Sequence, residues 1–346
     1  MDNIFKYYAT SELSNDAFLC WLFSASKDKY SSYNSVEYNV SQGYLKKFCK
    51  YDGKIIVYDN GIVKQEKNID VLIKGKYDNG EEFILTIENK TFSKQHSDQL
   101  KRYKEYINEK YKHIKHRHFI YYKTAIQGNI DEIKNEDYLP FQLYEIYDLL
   151  NKYEAGKSTN NILKYYFDFI KEEVELFDKF KIFNINDWDD YAYQGFFYHL
   201  SKVLKNENIT SIGFDHHDNR DGGKWSIWFL NDKIIKNKYG KDIGFHLNLE
   251  TSSKNDKNKK WLCRLIIRAN GKSNNTKWNK KDIEQFIGKI GERTNNSPGK
   301  NIILSILFPI NYNESKINYI DLEKKIMAEF ERFNEWQNKE GFIKKV

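Results

Sequence analysis

Two domains of α/β or α+β class are predicted for this chain on three observations. Over about the first 150 residues the hydrophobic pattern runs helix, three strands, helix, strand, helix. A polar stretch, Asn-Lys-Tyr-Glu-Ala-Gly-Lys-Ser-Thr-Asn at 151–160, then interrupts it as a connector. From about Ile182 onward the texture changes to alternating, aromatic-rich strands separated by Asp, Asn and Gly turns. A length of 346 residues suits two domains, or one large domain with insertions.

The first helix is read over Thr10–Phe23, where Thr10 or Ser11 can cap, Glu12 lies in the first turn, and Leu13, Ala17 and Cys20/Trp21 recur at helical spacing. Val40–Cys49 gives a second helix. The runs Lys54–Tyr58, Asn68–Lys74 and Glu82–Lys90 are short and apolar in the manner of an antiparallel sheet. Asn79-Gly80, between the last two, is a strong hairpin signal. Ser93–Tyr111 is amphipathic, with Leu100, Tyr103 and Ile107 on one face. His118–Lys123 is β-rich, and Phe141–Tyr153 and Ile162–Lys179 are helical. In the second half, Trp225–Leu230, Ile243–Leu249 and Trp261–Ala269 read as strands. A helix at Trp278–Ile290, a strand Asn301–Phe308 ended by Pro309, and a helix Ile320–Glu335 follow.

Composition removes several function classes. Apolar and aromatic residues make up 40 % and charged residues 30 %, which is globular rather than disordered. No stretch approaches the about 18 uncharged apolar residues of a membrane span, and the N-terminus lacks the features of a secretory signal, so a cytoplasmic protein is expected. Cys20, Cys49 and Cys263 are scattered, which argues against a disulfide scaffold or a zinc ribbon. The scarcity of proline beside abundant Asn, Lys, Ile and Tyr fits an AT-rich genome and carries no mechanism. The net charge of +7 is unevenly spread, for residues 251–300 hold thirteen basic and four acidic side chains and leave the rest slightly acidic. Interrupted by Trp261 and Trp278, this run reads either as a phosphate-backbone surface or as solvated loop lysines. Its candidate contacts are Lys257, Lys259, Lys260, Lys272, Lys277, Lys280 and Lys281.

The chemistry concentrates in Asn68-Ile69-Asp70-Val71-Leu72-Ile73 and Phe83-Ile84-Leu85-Thr86-Ile87-Glu88-Asn89-Lys90. Strand alternation points Glu88 and Lys90 to one face and Ile87 and Asn89 to the other. The hairpin sets the start of one strand beside the end of the next, so Asp70 and Glu88 become neighbours. Two adjacent carboxylates repel unless a proton or a cation lies between them, and oxygen-only ligation suits Mg²⁺ or Mn²⁺. Lys90 beside such a cation can hold or help deprotonate a water and stabilise a pentavalent phosphate, which would cleave a phosphodiester. Glu-x-Lys alone says little, since it recurs at Glu132/Lys134, Glu314/Lys316 and Glu323/Lys325. Only the Glu88 copy ends an apolar strand after an Asp-headed one; the plain alternative is a salt bridge at a sheet edge.

Asp70 followed by Glu88-Asn89-Lys90, flanked by helix, hairpin, helix and strand, resembles the PD-(D/E)xK nuclease superfamily. The likeness is to the branch with Glu12-Leu13-Ser14-Asn15-Asp16-Ala17-Phe18-Leu19-Cys20-Trp21-Leu22 in its first helix and Gln99-Leu100-Lys101-Arg102-Tyr103 after the lysine. It covers about residues 1–150, with Ile69 where the motif's name has Pro. The resemblance implies a restriction-endonuclease-like α/β core, a mixed central sheet flanked by helices, at 1–155. A connecting helix at 156–180 and a C-terminal α+β domain at 181–346 for recognition or oligomerisation would follow. It further implies Asp70, Glu88 and the backbone carbonyl of Asn89 as metal ligands and Lys90 as the water-activating residue. Glu12 would meet the metal directly or through water, or else be a helix-dipole acid. Gln99 would orient the lysine or a phosphate. Tyr103 is assigned to the core, and His96 is either a DNA contact or an ordinary exposed polar residue.

The function so implied is an Mg²⁺- or Mn²⁺-dependent nuclease, an endonuclease acting on DNA, or on RNA within the same class, in a prokaryotic restriction, defence or repair context. Since one chain offers one site, a two-strand cut implies a homodimer or sequential nicking. The competing reading is an inactive nuclease fold used for nucleic-acid binding or regulation, against which the intact Asp70, Glu88, Lys90 set argues. Asp215-His216-His217-Asp218 is read as a polar hairpin loop rather than a metal cluster. Trp225 and Trp228, on opposite faces of a strand, are read as one core and one surface residue.

Overall fold

The computed structural model describes residues 12–30, 34–91, 93, 98–206, 212–217, 223–229, 234–236, 242–250, 261–269, 292–293, 302–310, 318–339 and 343–344. The chain divides into two compact units, Met1–Leu176 and Phe177–Val346.

In the first unit α1 (Glu12–Ser24) and α2 (Val36–Cys49) precede the meander β1 (Ile55–Glu66), β2 (Ile69–Tyr77) and β3 (Glu82–Lys90). Then come α3 (Gln99–Lys110), β4 (His116–Lys123), the short α4 (Asp131–Asn135), β5 (Leu139–Gln142), α5 (Leu143–Lys152) and α6 (Asn161–Phe177). The five strands form one sheet in sequence order. β1, β2 and β3 pair antiparallel, whereas β3, β4 and β5 pair parallel, so the sheet is mixed and each parallel step needs a crossover, α3 for the first.

Side-chain alternation divides the core between the two faces of the sheet. Ile84, Leu72, Ile69, Phe119 and Tyr121 pack with Leu100, Tyr103, Ile107 and Tyr111 of α3. On the other face Tyr44 and Phe48 of α2 meet Tyr122 and Phe141 edge-on or tilted. The Tyr44, Tyr122 and Tyr166 hydroxyls form a buried chain, 3.3 and 2.9 Å apart, which satisfies three polar groups that would otherwise be stranded. β3 is buried from Phe83 to Lys90, as befits a central strand.

Several elements depart from the sequence expectation, each for a local reason. β1 runs on to Glu66 through Asp59-Asn60-Gly61, which resembles a turn in sequence but is absorbed as a register shift between Val57 and Ile62. Gly61 permits this, because a Cβ there would lie 2.2 Å from the Lys74 carbonyl oxygen. The β1–β2 hairpin turns on Lys67 and Asn68, both at positive φ, the type I′ geometry without its usual glycine. α2 starts four residues earlier than expected, because Ser35 caps it by accepting from the Tyr38 N–H. Ser93 lies outside α3, which begins at Gln99 after Asp98 at φ 62°. β5 and α4 are too short for periodicity to reveal.

In the second unit, α7 (Asp190–Asn206) precedes β6 (Ile212–His217), β7 (Lys224–Phe229), β8 (Ile234–Lys236), β9 (Asp242–Glu250), β10 (Trp261–Ala269), β11 (Glu292–Arg293) and β12 (Ile302–Ile310), then α8 (Tyr319–Lys339) and β13 (Ile343–Lys344). The main sheet path is β11-β12-β10-β9-β7-β6, with β8 pairing β9 and β13. Phe180 anchors an aromatic cluster with Trp188, Phe196, His199 and Tyr319. Pro309 does not end β12: it pairs with Leu262 of β10, past the reach of the two-residue β11, where the described residues put no strand that would need its missing N–H. Asp215, His216 and His217 sit in β6 rather than in a loop, opposite Ser226, Trp225 and Lys224. Trp225 and Trp228 are both half-buried, packed on His216 and His217. The expected helix Trp278–Ile290 lies outside the described residues, as do Asp218, His96, and Lys257, Lys259, Lys260, Lys272, Lys277, Lys280 and Lys281. Among the described residues no helix is long and apolar enough to cross a membrane.

Candidate active site

The site lies where β2 begins and β3 ends. Pairing of Val71 with Ile87 sets Asp70 level with Glu88, and the Asn89 N–H donates to Asp70 Oδ2 at 2.8 Å. Glu88 is fully buried and Lys90 is 5 % exposed. Lys90 Nζ lies 2.6 Å from Glu88 Oε1 and 3.6 Å from Glu12 Oε2, so the first-helix acid reaches the strand lysine. From α3, Gln99 Nε2 donates to the same Glu88 Oε1 at 2.7 Å and to the Tyr103 hydroxyl at 3.1 Å. Asp70, Glu88, Asn89, Lys90, Glu12 and Gln99 are thus brought together, and Tyr103 joins them while also packing in the core.

The electrostatics follow from burying three charges in a small volume. Burial, and then the Asp70 carboxylate beside it, push Glu88 above the ordinary carboxylate range; Asp70 is raised chiefly by burial, against the pull of the Asn89 N–H and Lys90. Burial would lower the Lys90 ammonium, but Glu88, Glu12 and Asp70 outweigh it and hold the group above its usual value. Lys90 is therefore a charged donor at neutral pH.

The residues fit a hard divalent cation. Glu88 Oε2 is buried without a hydrogen-bond partner among the described residues, and Gln99 Oε1 is in the same condition. Orphaned oxygens beside a second carboxylate are what a cation would satisfy. Among the described residues no group of three or more His, Cys, Asp or Glu is disposed to hold a metal ion by itself. Mg²⁺ does not need one, since it is commonly held by one or two carboxylates and keeps several waters. Asp70, Glu88 and the Asn89 carbonyl would supply that oxygen set.

Three residues here escaped the sequence reading. Asp16, on α1, is fully buried and its Oδ1 accepts from Asn89 Nδ2 at 2.9 Å. Its spacing of four from Glu12 was the available signal. Burial, then Asp70, raise its carboxyl to about 6. Ser93 Oγ donates to Glu12 Oε1 at 2.5 Å, and Lys123, 2 % exposed, donates to the Ser93 carbonyl at 2.6 Å. Lys123 ends an apolar strand just as Lys90 does, which was its signal.

No curated protein matches the chain. Residues 2–138 do match the family model described as PD-(D/E)XK nuclease superfamily, and the five-stranded sheet flanked by helices is the restriction-endonuclease-like α/β fold of that superfamily.

Proposed function

We propose that the first unit is a metal-dependent nuclease that hydrolyses phosphodiester bonds, that its substrate is DNA cut internally, and that it serves restriction, defence or repair in a prokaryote. One observation carries the reading: Asp70, Glu88 and Lys90 converge where β2 begins and β3 ends, with Glu88 and Lys90 buried and one Glu88 oxygen unpartnered among the described residues. A surface salt bridge would not bury its acid completely.

Asp70, Glu88 and the Asn89 carbonyl would hold Mg²⁺ or Mn²⁺. The ion would lower the pKa of a water and neutralise charge on the attacked phosphate. The protein's own groups prepare the rest. Asn89 N–H fixes the Asp70 rotamer, and Gln99 together with Lys90 fixes the Glu88 carboxylate. The Lys90 ammonium orients the attacking water and donates to phosphate oxygens as their negative charge grows. Glu12, 3.6 Å from that ammonium, limits its swing. Duplex cleavage by a chain with one such site would use two copies or successive nicks.

The test is Mg²⁺ titration over plasmid, single-stranded DNA and RNA side by side, with chelator as control. Nicked or linear plasmid that appears only with the ion supports the reading. Binding without cleavage under every divalent ion would replace it with an inactive nuclease fold used for recognition.

A further inference from the structure

In the Glu-Asn-Lys segment the middle residue turns away from the metal side, and its side chain has a defined use. Both Asn89 Nδ2 hydrogens are spent on α1, one on the Glu12 carbonyl at 2.7 Å and one on Asp16 Oδ1 at 2.9 Å. Asp16 and Asn89 are both fully buried. Asp16 Oδ2 and Asn89 Oδ1 have no hydrogen-bond partner among the described residues. A buried carboxylate with an idle oxygen costs folding free energy, so this position is not arranged for stability, and such breaches gather at functional sites. What the arrangement achieves is local. It staples the first turn of α1, which carries Glu12, to the residue between Glu88 and Lys90.

We propose that Asp16 is a positioning residue which, through the Asn89 carboxamide, holds Glu12 in register over Lys90. The inference rests on the nuclease reading above and deepens it. Ser93 completes the arrangement from the other side, donating to the Glu12 carboxylate itself. The main chain of Glu12 is thus fixed by Asn89 and its side chain by Ser93, while Asp16, one turn further along the same helix, fixes Asn89.

The decisive experiment is a double-mutant cycle between Asp16 and Glu12 on the full chain. It is read by kcat and KM on a labelled oligonucleotide and, separately, by calorimetric titration with Mn²⁺ in the absence of nucleic acid. Asp16→Ala should lower kcat about tenfold or more with KM changed less than about twofold, and weaken Mn²⁺ by the same factor as Glu12→Ala. In the Glu12→Ala background it should add nothing. Asp16→Asn keeps an acceptor for Asn89 and should stay within about threefold of the native chain. Asp16→Thr, close in volume and too short to place an acceptor on the Asn89 carboxamide, replaces Asp16→Ala if that variant does not fold. Additive losses in the cycle, or an Asp16→Asn as impaired as Asp16→Ala, would overturn the positioning role while leaving the nuclease reading intact. A native chain that neither binds Mn²⁺ nor cleaves would overturn both.

Discussion

Lys90 and Lys123 are paired neighbours at the ends of the parallel strands β3 and β4, both nearly buried, yet their ammonium groups serve different partners. Lys90 Nζ meets Glu88 at 2.6 Å, whereas Lys123 Nζ donates to the Ser93 carbonyl at 2.6 Å. One lysine faces the chemistry and the other holds Ser93. Lys123→Met should therefore weaken Mn²⁺ binding and lower cleavage together, each by no more than Glu12→Ala does, through loss of the Ser93 contact to Glu12. Steady-state kinetics beside calorimetry checks this, and a loss confined to metal affinity would contradict it.

Asp70→Ala and Glu88→Ala should each abolish cleavage, because both remove a ligand from a set of only two carboxylates. Asp70→Ala should hold or raise the melting temperature in metal-free buffer, because one of two repelling acids is gone, whereas Glu88→Ala relieves the same repulsion but removes the Lys90 counter-ion and should stay near the native value. Lys90→Ala should also abolish cleavage but should lower the melting temperature, since it leaves Glu88 without its counter-ion. Thermal melts with chelator and cleavage assays with Mg²⁺ decide the matter. Near-native cleavage by Glu88→Ala would sink the site assignment.

Gln99→Ala removes a donor from Glu88 Oε1 without touching either carboxylate. Residues that orient metal ligands are worth about 10- to 100-fold in affinity or activity. The half-saturating Mg²⁺ concentration should rise within that range, with cleavage recovered at high Mg²⁺. Failure to recover at any Mg²⁺ concentration would give Gln99 a direct role at the phosphate instead.

The legibility of this chain in sequence follows the physics of each feature. Asp70 beside Glu88 could be read because a hairpin announced by Asn79-Gly80 fixes register, and register fixes neighbours. The α3 face was legible because Leu100, Tyr103 and Ile107 recur at helical spacing. Asp16 and Lys123 carried only faint marks, a spacing of four from Glu12 and a place at a strand end, and Ser93 none, since each acts through a contact 30 or more residues away, which no local pattern encodes. The Lys67-Asn68 turn was hidden because type I′ geometry here is taken up by residues that rarely advertise it. β5 escaped because four residues cannot display a period, and its parallel pairing to β4 is a tertiary fact.

The basic run at 251–300 makes a separate, sequence-level prediction. If Lys259 and Lys260 meet a phosphate backbone, each contact releases counterions, and log affinity falls with log salt by about −0.9 per neutralised phosphate. Lys259→Gln with Lys260→Gln should flatten that slope by up to about two units and weaken all DNA sequences alike. Affinity measured at several salt concentrations, with Ca²⁺ replacing Mg²⁺, gives the answer. Unchanged slopes would make the run a solvated face.

His118 supplies the pH dependence of stability. Burial, aided by His116 and Lys50, lowers its pKa from the usual 6.5 to about 4, and its Nε2 lies 2.8 Å from the Tyr77 hydroxyl. Between about 4 and 6.5 the unfolded chain therefore binds more protons at this position than the folded one, so stability rises with pH across that window. The contribution is complete above 6.5, is lost as pH falls toward 4, and amounts to about 1–3 kcal/mol by linkage. Asp16, raised to about 6, runs the opposite way, since its protonation favours the folded state. A bare acid titration of the native chain would mix the two effects. Urea denaturation at pH 7.5 and pH 4.5 should be compared between the native chain and His118→Gln, which cannot titrate. The native chain should lose more stability than the variant over that interval, and equal losses would show that His118 is protonated in the folded state.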